Sequence, residues 1–379
     1  MKNINVYYGP KVSFEQILPK RIPITTLTQL VVKHDAKRKE YVHIHKIEGQ
    51  DQGELVEEDQ EEIKCLVAYS EEYAGISEHA IQSFVTFISQ YKIGKLYLQN
   101  PPLNIVQQFE KINAKIITQR HQYECINPAV LKKISSTYSS VIIGQERVKE
   151  LLLGALYPLT KPENKKPIVL LFYGPTGVGK TETAKYLSEL LGETLFRKQF
   201  SMFHSSDFSS YLFGGNHAQN CFAKELLERE SNIILLDEFD KSHPVFHSAF
   251  YQLFDEGVFE DKNYNVVLEK AIIICTSNYR SEDDIKRNLG APLYSRFDAV
   301  IQFTSLKNEA IIKIINNQFN AQYERLTEHE KKLIDATDLK SKILSKAASM
   351  DNVRQIRKLI KESMSIILVK HLIECHSDI

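Results

Sequence analysis

Residues 174–181 of this 379-residue chain have the pattern of a loop that binds phosphate, because they read GPTGVGKT and fit G-x-x-x-x-G-K-[ST]. Glycines let backbone N–H groups curl around phosphate oxygens, Lys180 can reach the β- and γ-phosphates, and the Thr181 hydroxyl can ligate Mg²⁺. An apolar run precedes the loop and an amphipathic segment follows it, so a buried strand should lead into a helix whose N-terminus faces the anion. The predicted ligands of a nucleoside triphosphate are Gly174, Pro175, Thr176, Gly177, Val178, Gly179, Lys180, Thr181 and Glu182.

Two neighbouring acids follow a second apolar run. Residues 233–236 read IILL and predict a buried strand that ends on Asp237 and Glu238. An acid at such a strand tip can hold the Mg²⁺ shell, and a second acid beside it can polarise an attacking water. We therefore assign Asp237 to the metal and Glu238 to the general base. The alternative is an acidic turn between a strand and a helix, with no chemical role.

A third apolar run, residues 271–275, ends in the polar residues Thr276, Ser277 and Asn278. If its strand lies between the other two, a polar side chain at its tip could orient the attacking water together with Glu238. We therefore predict a catalytic role for Asn278. The alternative is a plain turn after a strand.

Three zones of the chain, which differ in pattern, must position these residues. Residues 1–135 read as strand, helix, strand, helix, strand in their regular part, which predicts a small α/β domain with a parallel sheet. Residues 136–304 form a second α/β zone that holds all three motifs, and residues 305–379 have helical periodicity. The two apolar stripes of this last zone are Ile311, Ile312, Ile315 and Phe319, and Ile356, Leu359, Ile360 and Met364.

The composition narrows the class of protein. Hydrophobic residues make up 43% and charged residues 25%, as in soluble globular proteins, and the 48 basic and 48 acidic residues argue against a nucleic-acid partner. Five dispersed cysteines without CxxC spacing argue against a disulfide framework or a zinc site and favour a reducing compartment. No signal-peptide core and no stretch of about 20 apolar residues is found, so we expect a cytoplasmic protein without a membrane segment.

One stretch of the first zone is strongly acidic. Residues 48–62 hold eight acidic residues and no Lys or Arg. This indicates a solvated surface loop, with an acidic docking site as the alternative.

The order of the motifs resembles that of AAA+ ATPases of the Clp type, and most closely the second ATPase module of Clp unfoldases. The resemblance runs from about residue 141 to residue 372, and its most specific part is LLDEFDKSHPVFHSAFYQLFDEG at residues 235–257. It implies an ATPase with a three-layer αβα P-loop core over residues 136–304. It also implies a C-terminal helical lid over residues 305–379, behind the small α/β domain of residues 1–135, whose role the resemblance does not cover.

The resemblance also assigns roles to single residues of the core. The sequence VIIGQERV at residues 141–148 is similar to the motif that packs near the adenine, which implicates Ile142 and Ile143. Asn278 matches the polar sensor that contacts the water or the γ-phosphate.

Two arginines are implicated by the same resemblance. Arg296 matches the arginine finger, which in the family reaches the ATP of the neighbouring subunit and so implies a homo-oligomeric ring, by resemblance a hexamer. Arg354 matches the second sensor on the lid. Both can stabilise charge on the γ-phosphate oxygens. Without the resemblance, Arg296 would be interpreted as a surface ion pair with Asp298, and Arg354 as part of a solvated helix face.

The chain departs from the resemblance where Clp-type rings grip polypeptide. Those rings carry a Gly-aromatic-Val-Gly loop, whereas residues 210–227 read SYLFGGNHAQNCFAKELL and are shorter. Tyr211 and Phe213 could be displaced grips, or they could pack beneath the sheet.

Three functional hypotheses follow. The first is an ATP-driven ring that remodels a protein client chosen by the N-terminal domain. The second is an ATP-dependent oligomerisation switch that recruits or regulates a separate effector without threading. The third, a nucleic-acid motor, is disfavoured by the neutral charge and by the lack of interleaved aromatic and basic residues.

Overall fold

The structure is a computed structural model, and it describes residues 4–47, 60–202, 205–242, 244–350 and 352–376. Most of the predicted acidic loop, residues 48–59, lies outside these ranges. Within them, Glu61 forms ion pairs with Lys33 and Lys37.

The strands of the described residues are β1 Ile4–Tyr8, β2 Ile24–Thr26, β3 Glu62–Ala68, β4 Lys92–Gln99, β5 Ile116–Arg120, β6 Ile168–Tyr173, β7 Phe196–Gln199, β8 Ile233–Asp237, β9 Val258–Glu260, β10 Asn265–Val267, β11 Ile272–Thr276 and β12 Ala299–Gln302. The α-helices are α1 Lys11–Ile17, α2 Leu27–Ile47, α3 Glu78–Gln82, α4 Phe84–Ser89, α5 Leu103–Lys111, α6 Pro128–Val141, α7 Glu146–Leu156, α8 Lys180–Leu190, α9 Ser205–Phe213, α10 Phe222–Glu228, α11 Tyr251–Glu256, α12 Glu282–Leu289, α13 Ala291–Tyr294, α14 Asn308–Tyr323, α15 Glu328–Asp335, α16 Leu339–Leu344 and α17 Val353–His376. No described helix has the length and apolar character needed to cross a membrane.

The chain forms two compact units, each built from three segments. The first unit comprises Met1–Tyr123, Phe203–Glu230 and Gly257–Leu268, and the second comprises Glu124–Met202, Ser231–Glu256 and Glu269–Ile379. The borders proposed above at residues 135/136 and 304/305 remain predictions.

The first unit contains a five-stranded sheet in the order β2-β3-β4-β1-β5, and every pair in it is parallel. This confirms the predicted parallel sheet and adds β1 and β2, which were not predicted. The first helix of the predicted strand–helix–strand–helix–strand order, whose apolar residues recur at helical spacing over residues 78–91, is two helices. The backbone leaves helical geometry at Ser83, with φ −118° and ψ 28°. The Ser83 hydroxyl donates to the His79 carbonyl at 2.8 Å, a local bond that competes with the helix.

The segment with the missing grip motif belongs to the first unit. Tyr211 is buried, its ring lies beside those of Phe208 and Phe222, and its hydroxyl donates to the carboxylate of Glu225. Phe213, in contrast, is 44% exposed. Tyr211 is therefore a packing residue of this unit.

The second unit contains the sheet that positions the motifs. Its order is β12-β6-β11-β8-β7 and all its pairs are parallel. Every residue of β6, β8 and β11 is buried, as expected for central strands of a parallel sheet covered on both faces. Because parallel strands end at the same edge, β6, β7, β8 and β11 bring their carboxyl ends together.

Helices α14–α17 follow the sheet. In α14, Ile311, Ile315 and Phe319 are buried as predicted, but Ile312 is 38% exposed. The prediction was wrong at Ile312 because the buried face of α14 continues through Ile314 instead. The second stripe is confirmed: Ile356, Ile360 and Met364 are buried, and Leu359 is partly buried against the same core.

Candidate functional site

A cavity of ≈ 530 Å³ opens in the second unit at the carboxyl ends of β7, β8 and β11. Residues 176–182 form one wall, and side chains of α14 and α17 form another. The predicted residues that line it are Ile142, Ile143, Thr176, Gly177, Val178, Gly179, Lys180, Thr181, Glu182, Asp237, Glu238, Asn278 and Arg354. Gly174 and Pro175 contribute backbone carbonyls beside it, and Arg296 lies elsewhere.

Glycine is required where the loop meets helix α17. Gly177 has φ +77°, and a Cβ atom there would lie 2.0 Å from Oδ1 of Asn352. Its carbonyl accepts a hydrogen bond from the backbone N–H of Val353 at 3.1 Å. Any side chain at this position would strain the backbone and displace the side chain of Asn352, whose Oδ1 accepts a hydrogen bond from the Arg354 N–H at 2.9 Å at the start of α17.

Lys180 stands at the first turn of α8 and points back into the loop. Its Nζ donates to the carbonyls of Gly174 and Pro175 at 2.6 and 2.7 Å, and to Oδ1 of Asn278 at 3.2 Å. Burial lowers the pKa of Lys180 to about 8, and the nearby carboxylates of Asp240 and Asp237 oppose this change. The structure thus brings Lys180 and Asn278 into contact, although 98 positions separate them in the sequence.

Thr181 and Asp237 offer adjacent oxygen ligands. The Thr181 hydroxyl lies 3.4 Å from Oδ1 of Asp237, and the Thr276 hydroxyl donates to the same oxygen at 2.5 Å. Hydroxyl and carboxylate oxygens are ligands that suit Mg²⁺, which takes its remaining ligands from phosphate and water. The described residues contain no cluster of three or more His, Cys, Asp or Glu that could hold a metal alone. The donor set therefore fits Mg²⁺ bound together with a nucleotide.

Glu238 is fixed on both its backbone and its side chain. Its N–H donates to the Thr276 hydroxyl at 2.9 Å, and its Oε2 accepts from Nε2 of Gln199 at 3.0 Å. Its φ is +55°, a conformation that costs energy for a residue with a side chain and that clusters at functional sites. The turn after β8 thus points Glu238 into the cavity beside Asp237.

Arg197 holds the other oxygen of Asp237. Its Nε and Nη2 donate to Oδ2 at 3.0 and 2.5 Å, and the Asp237 side chain is only 6% exposed. Oδ1 is left facing Thr181 and Thr276. Arg197 therefore fixes which oxygen of Asp237 is turned toward the predicted metal position.

Replacing Arg197 by Met should weaken the effect of Mg²⁺ on nucleotide binding. Loss of an outer partner of a metal ligand typically costs 10- to 100-fold in metal affinity, and we expect roughly tenfold here. The measurement is fluorescent ADP titration over a range of Mg²⁺ concentrations and in EDTA. Binding in EDTA should change little. Lys198→Met, one position along β7 and outside the cavity, is the control; equal Mg²⁺ dependence in both variants would contradict the assignment.

Part of the cavity lining is apolar. It includes Val141, Ile142, Ile143, Leu306 and Ile314, and Ile142, Leu306 and Ile314 belong to one hydrophobic core. The carboxamide of Gln145 links the two segments that carry residues 141–143 and Leu306, since it donates to the Thr304 carbonyl at 2.9 Å and accepts from the Thr304 N–H. Such a wall can cover a flat, weakly polar ring such as adenine.

The two predicted arginines, Arg354 and Arg296, lie in different places, and a third arginine joins Arg354. Arg354 and Arg357 on α17 both line the cavity, and Nε of Arg357 donates to Oε1 of Gln318 at 3.2 Å. Arg296 pairs with Asp255 at 2.8 Å. The alternative pairing with Asp298 was wrong, because Oδ2 of Asp298 instead accepts a hydrogen bond from the backbone N–H of Val169 at 2.7 Å.

The sequence analysis missed several lining residues. Arg197 and Gln199 alternate on β7, whose four residues are too few for a periodic signal. Thr276 was recognised only as part of a polar strand end. Arg357 lies three positions after Arg354, one turn along the same helix, a spacing that could have identified it.

Comparison with known proteins gives three kinds of match. Residues 165–334 match the family model described as AAA domain (Cdc48 subfamily). ClpL, the ATP-binding subunit of the ATP-dependent Clp protease from Staphylococcus aureus strain bovine RF122 / ET3-1, is 32% identical over 211 residues, which are 49% of this chain and 30% of that relative. ClpL of strain MRSA252 matches over the same shares. The chain thus spans less than a third of the length of these curated relatives.

Two solved structures share the fold. The S. cerevisiae Hsp104–ADP complex matches 64% of this chain and 49% of its own, with a TM-score of 0.51 and 19% identity. The closed state of Hsp104 with ATPγS and FITC casein matches 98% of this chain and 89% of its own, with a TM-score of 0.53 and 14% identity. At these identities the similarity concerns the fold alone.

Proposed function

We propose that the chain, whose residues 165–334 match the AAA domain family and which is similar to ClpL over 211 residues, is an AAA+ ATPase of the Clp type that hydrolyses ATP with Mg²⁺ in order to remodel a protein client or complex. The observation that carries the proposal is the convergence of Lys180, Thr181 and Asp237 in one cavity. These residues come from two separate segments of the chain, and together they supply a cation for phosphate and oxygen ligands for a metal.

In this proposal, different residues of the cavity would bind the phosphates, bind the metal and activate the attacking water. Lys180 would exchange its loop carbonyls for phosphate oxygens, and Thr181 and Asp237 would hold Mg²⁺ together with water. When bound, Mg²⁺ neutralises negative charge that develops on the transferred phosphate. Glu238, oriented by Gln199, would take a proton from the attacking water, and Asn278 would help to position that water.

The proposed assembly is a homo-oligomeric ring. Arg296 does not line the cavity of its own chain, so any contact between it and a γ-phosphate would have to be made in a neighbouring copy. Arg354 lines the cavity of its own chain and would act there. A hexamer is the number that the resemblance implies. Nucleic acid is not expected as a partner, and we expect the protein to act in the cytoplasm.

One observation favours the second candidate, an ATP-dependent oligomerisation switch. Tyr211, a possible grip residue, is buried in the first unit with its hydroxyl on Glu225. A buried ring cannot contact a threaded polypeptide unless the segment rearranges. In this candidate, the ring would recruit or regulate a separate effector.

Solution mass and ATP turnover test the proposal together. We expect light scattering to show a shift from small species to a ring of about six copies when Mg·ATP is added, because Arg296 would then join neighbouring copies. Stimulation of turnover by an unfolded protein such as casein, with unfolding of a tagged reporter, would favour remodelling. Turnover indifferent to added protein would favour the switch. A monomer under all conditions would contradict both forms of the ring.

A further inference from the structure

The guanidinium of Arg296 is held from three sides. Its Nε donates to Oδ2 of Asp255 at 2.8 Å, and its Nη1 donates to the Pro292 carbonyl at 2.5 Å. Its central carbon lies 4.3 Å from the centre of the Tyr251 ring. An ordinary surface ion pair has one such contact and fixes little. These three contacts fix both the plane and the rotation of the guanidinium.

The contacts come from short elements that present them as a unit. Tyr251 and Asp255 are four positions apart on α11, so they lie on the same face of that helix. Arg296 follows α13, and its own N–H donates to the Leu293 carbonyl at 3.1 Å, which fixes its backbone on the end of that helix. The side chain of Arg296 is 25% exposed, so its guanidinium is held without being enclosed.

The contacts leave one edge of the guanidinium uncommitted. Arginine has five N–H donors in a planar fork. Nε and Nη1 donate hydrogen bonds, whereas among the described residues no acceptor is found for the N–H groups of Nη2. The Nη2 edge is the part that could reach an anion supplied from outside the chain.

We propose that Asp255 and Tyr251 are positioning residues that hold Arg296 with its Nη2 edge ready for the nucleotide of a neighbouring copy. The inference rests on the proposed function, since it requires copies that share an ATPase site. A guanidinium fixed in advance loses little freedom when it meets the phosphate, whereas a free side chain must first be ordered. The two residues thus act through Arg296 and need not touch the nucleotide.

Mixing two inactive chains tests the proposal. An Arg296→Ala chain keeps its nucleotide site, and a Lys180→Ala chain keeps Arg296. Neither should turn over ATP alone, and the mixture should regain turnover if Arg296 acts in trans. Asp255→Asn is then added to one chain at a time. When the Lys180→Ala chain carries Asp255→Asn, the kcat of the mixture should be about tenfold lower than that of the parent mixture. In the Arg296→Ala chain it should leave the regained turnover as in the parent mixture.

The outcomes separate the inference from the function on which it rests. No regained turnover in the parent mixture would overturn the trans site and the inference with it. Regained turnover that Asp255→Asn does not lower in either chain would overturn the inference alone. An equal loss from both placements would also overturn it, because that is the signature of damaged folding.

Matched variants test whether a fall in turnover has a cause other than the loss of the contact with Arg296. Glu256→Gln, next to Asp255 on α11 and exposed, should leave turnover unchanged in the Lys180→Ala chain. In the same chain, Asp255→Glu keeps the negative charge, so the mixture should turn over ATP faster than with Asp255→Asn. Tyr251→Leu should lower the turnover of the mixture as Asp255→Asn does. When the changes at Asp255 and Tyr251 are carried by the Lys180→Ala chain, the KM for ATP of the mixture should stay constant, because the nucleotide is bound by the Arg296→Ala chain.

Discussion

Replacing Glu238 by Gln is expected to reduce ATP turnover by about a thousandfold while nucleotide affinity stays within a few-fold of the original. A positioned general base contributes typically 10²- to 10⁴-fold, and the amide cannot accept the proton of the attacking water. The amide is nearly the same size and can still accept the hydrogen bond from Gln199, so the geometry of the turn should persist. Phosphate release gives turnover, and a fluorescent ATP analogue gives affinity.

The same variant should accumulate the assembled state. Because bound ATP is not consumed, the mass of Glu238→Gln in Mg·ATP should stay that of the ring, whereas the original protein should return to small species as ATP is spent. Glu189→Gln, on the exposed side of α8, is the matched control and should behave as the original protein. Normal turnover by Glu238→Gln would show that the general base lies elsewhere.

Replacing Lys180 by Ala is expected to weaken ATP binding by about 30- to 1,000-fold. Truncating one partner of a buried, charge-assisted contact costs roughly 2–4 kcal/mol, which corresponds to that range of affinity. Lys180 is 8% exposed, so the lost attraction is little weakened by solvent. Isothermal titration calorimetry with Mg·ATP measures the effect directly.

The control for this variant lies on the same helix. Lys185 is 57% exposed and pairs with Glu189 at 3.5 Å across one turn of α8. Lys185→Ala should therefore bind ATP as the original protein does, because an exposed pair of this kind contributes little. If Lys180→Ala keeps its affinity and its thermal stability, the loop is not the phosphate site.

The fold and the site were predictable from sequence wherever one short segment carries its own signal. The strand at residues 168–173 and the two acids at the end of β8 could be located in this way, since buried strands appear as unbroken apolar runs. The α/β class followed from the same runs. The AAA+ assignment came from the motif order, and the match of residues 165–334 confirms it.

Other features required contacts between distant segments. Arg197 and Gln199 belong to the site only because β7 pairs with β8, and the register sets Gln199 opposite Asp237. Likewise, Arg296 contacts Asp255 although Asp298 is far nearer in sequence. Which side chains pair in the fold depends on burial and on the hydrogen bonds that each side chain already makes.

By itself, then, the sequence determined the positions of the glycine-rich loop at residues 174–181, of the paired acids and of the apolar face of the last helix. These depend on residue type and on spacing within one element, which a linear pattern records. The tertiary structure alone decided the strand order, the partners of Asp237 and Arg296, and the inclusion of Phe203–Glu230 in the first unit. Those outcomes depend on the free energy of packing whole elements against one another, and the pattern of a single segment does not record it.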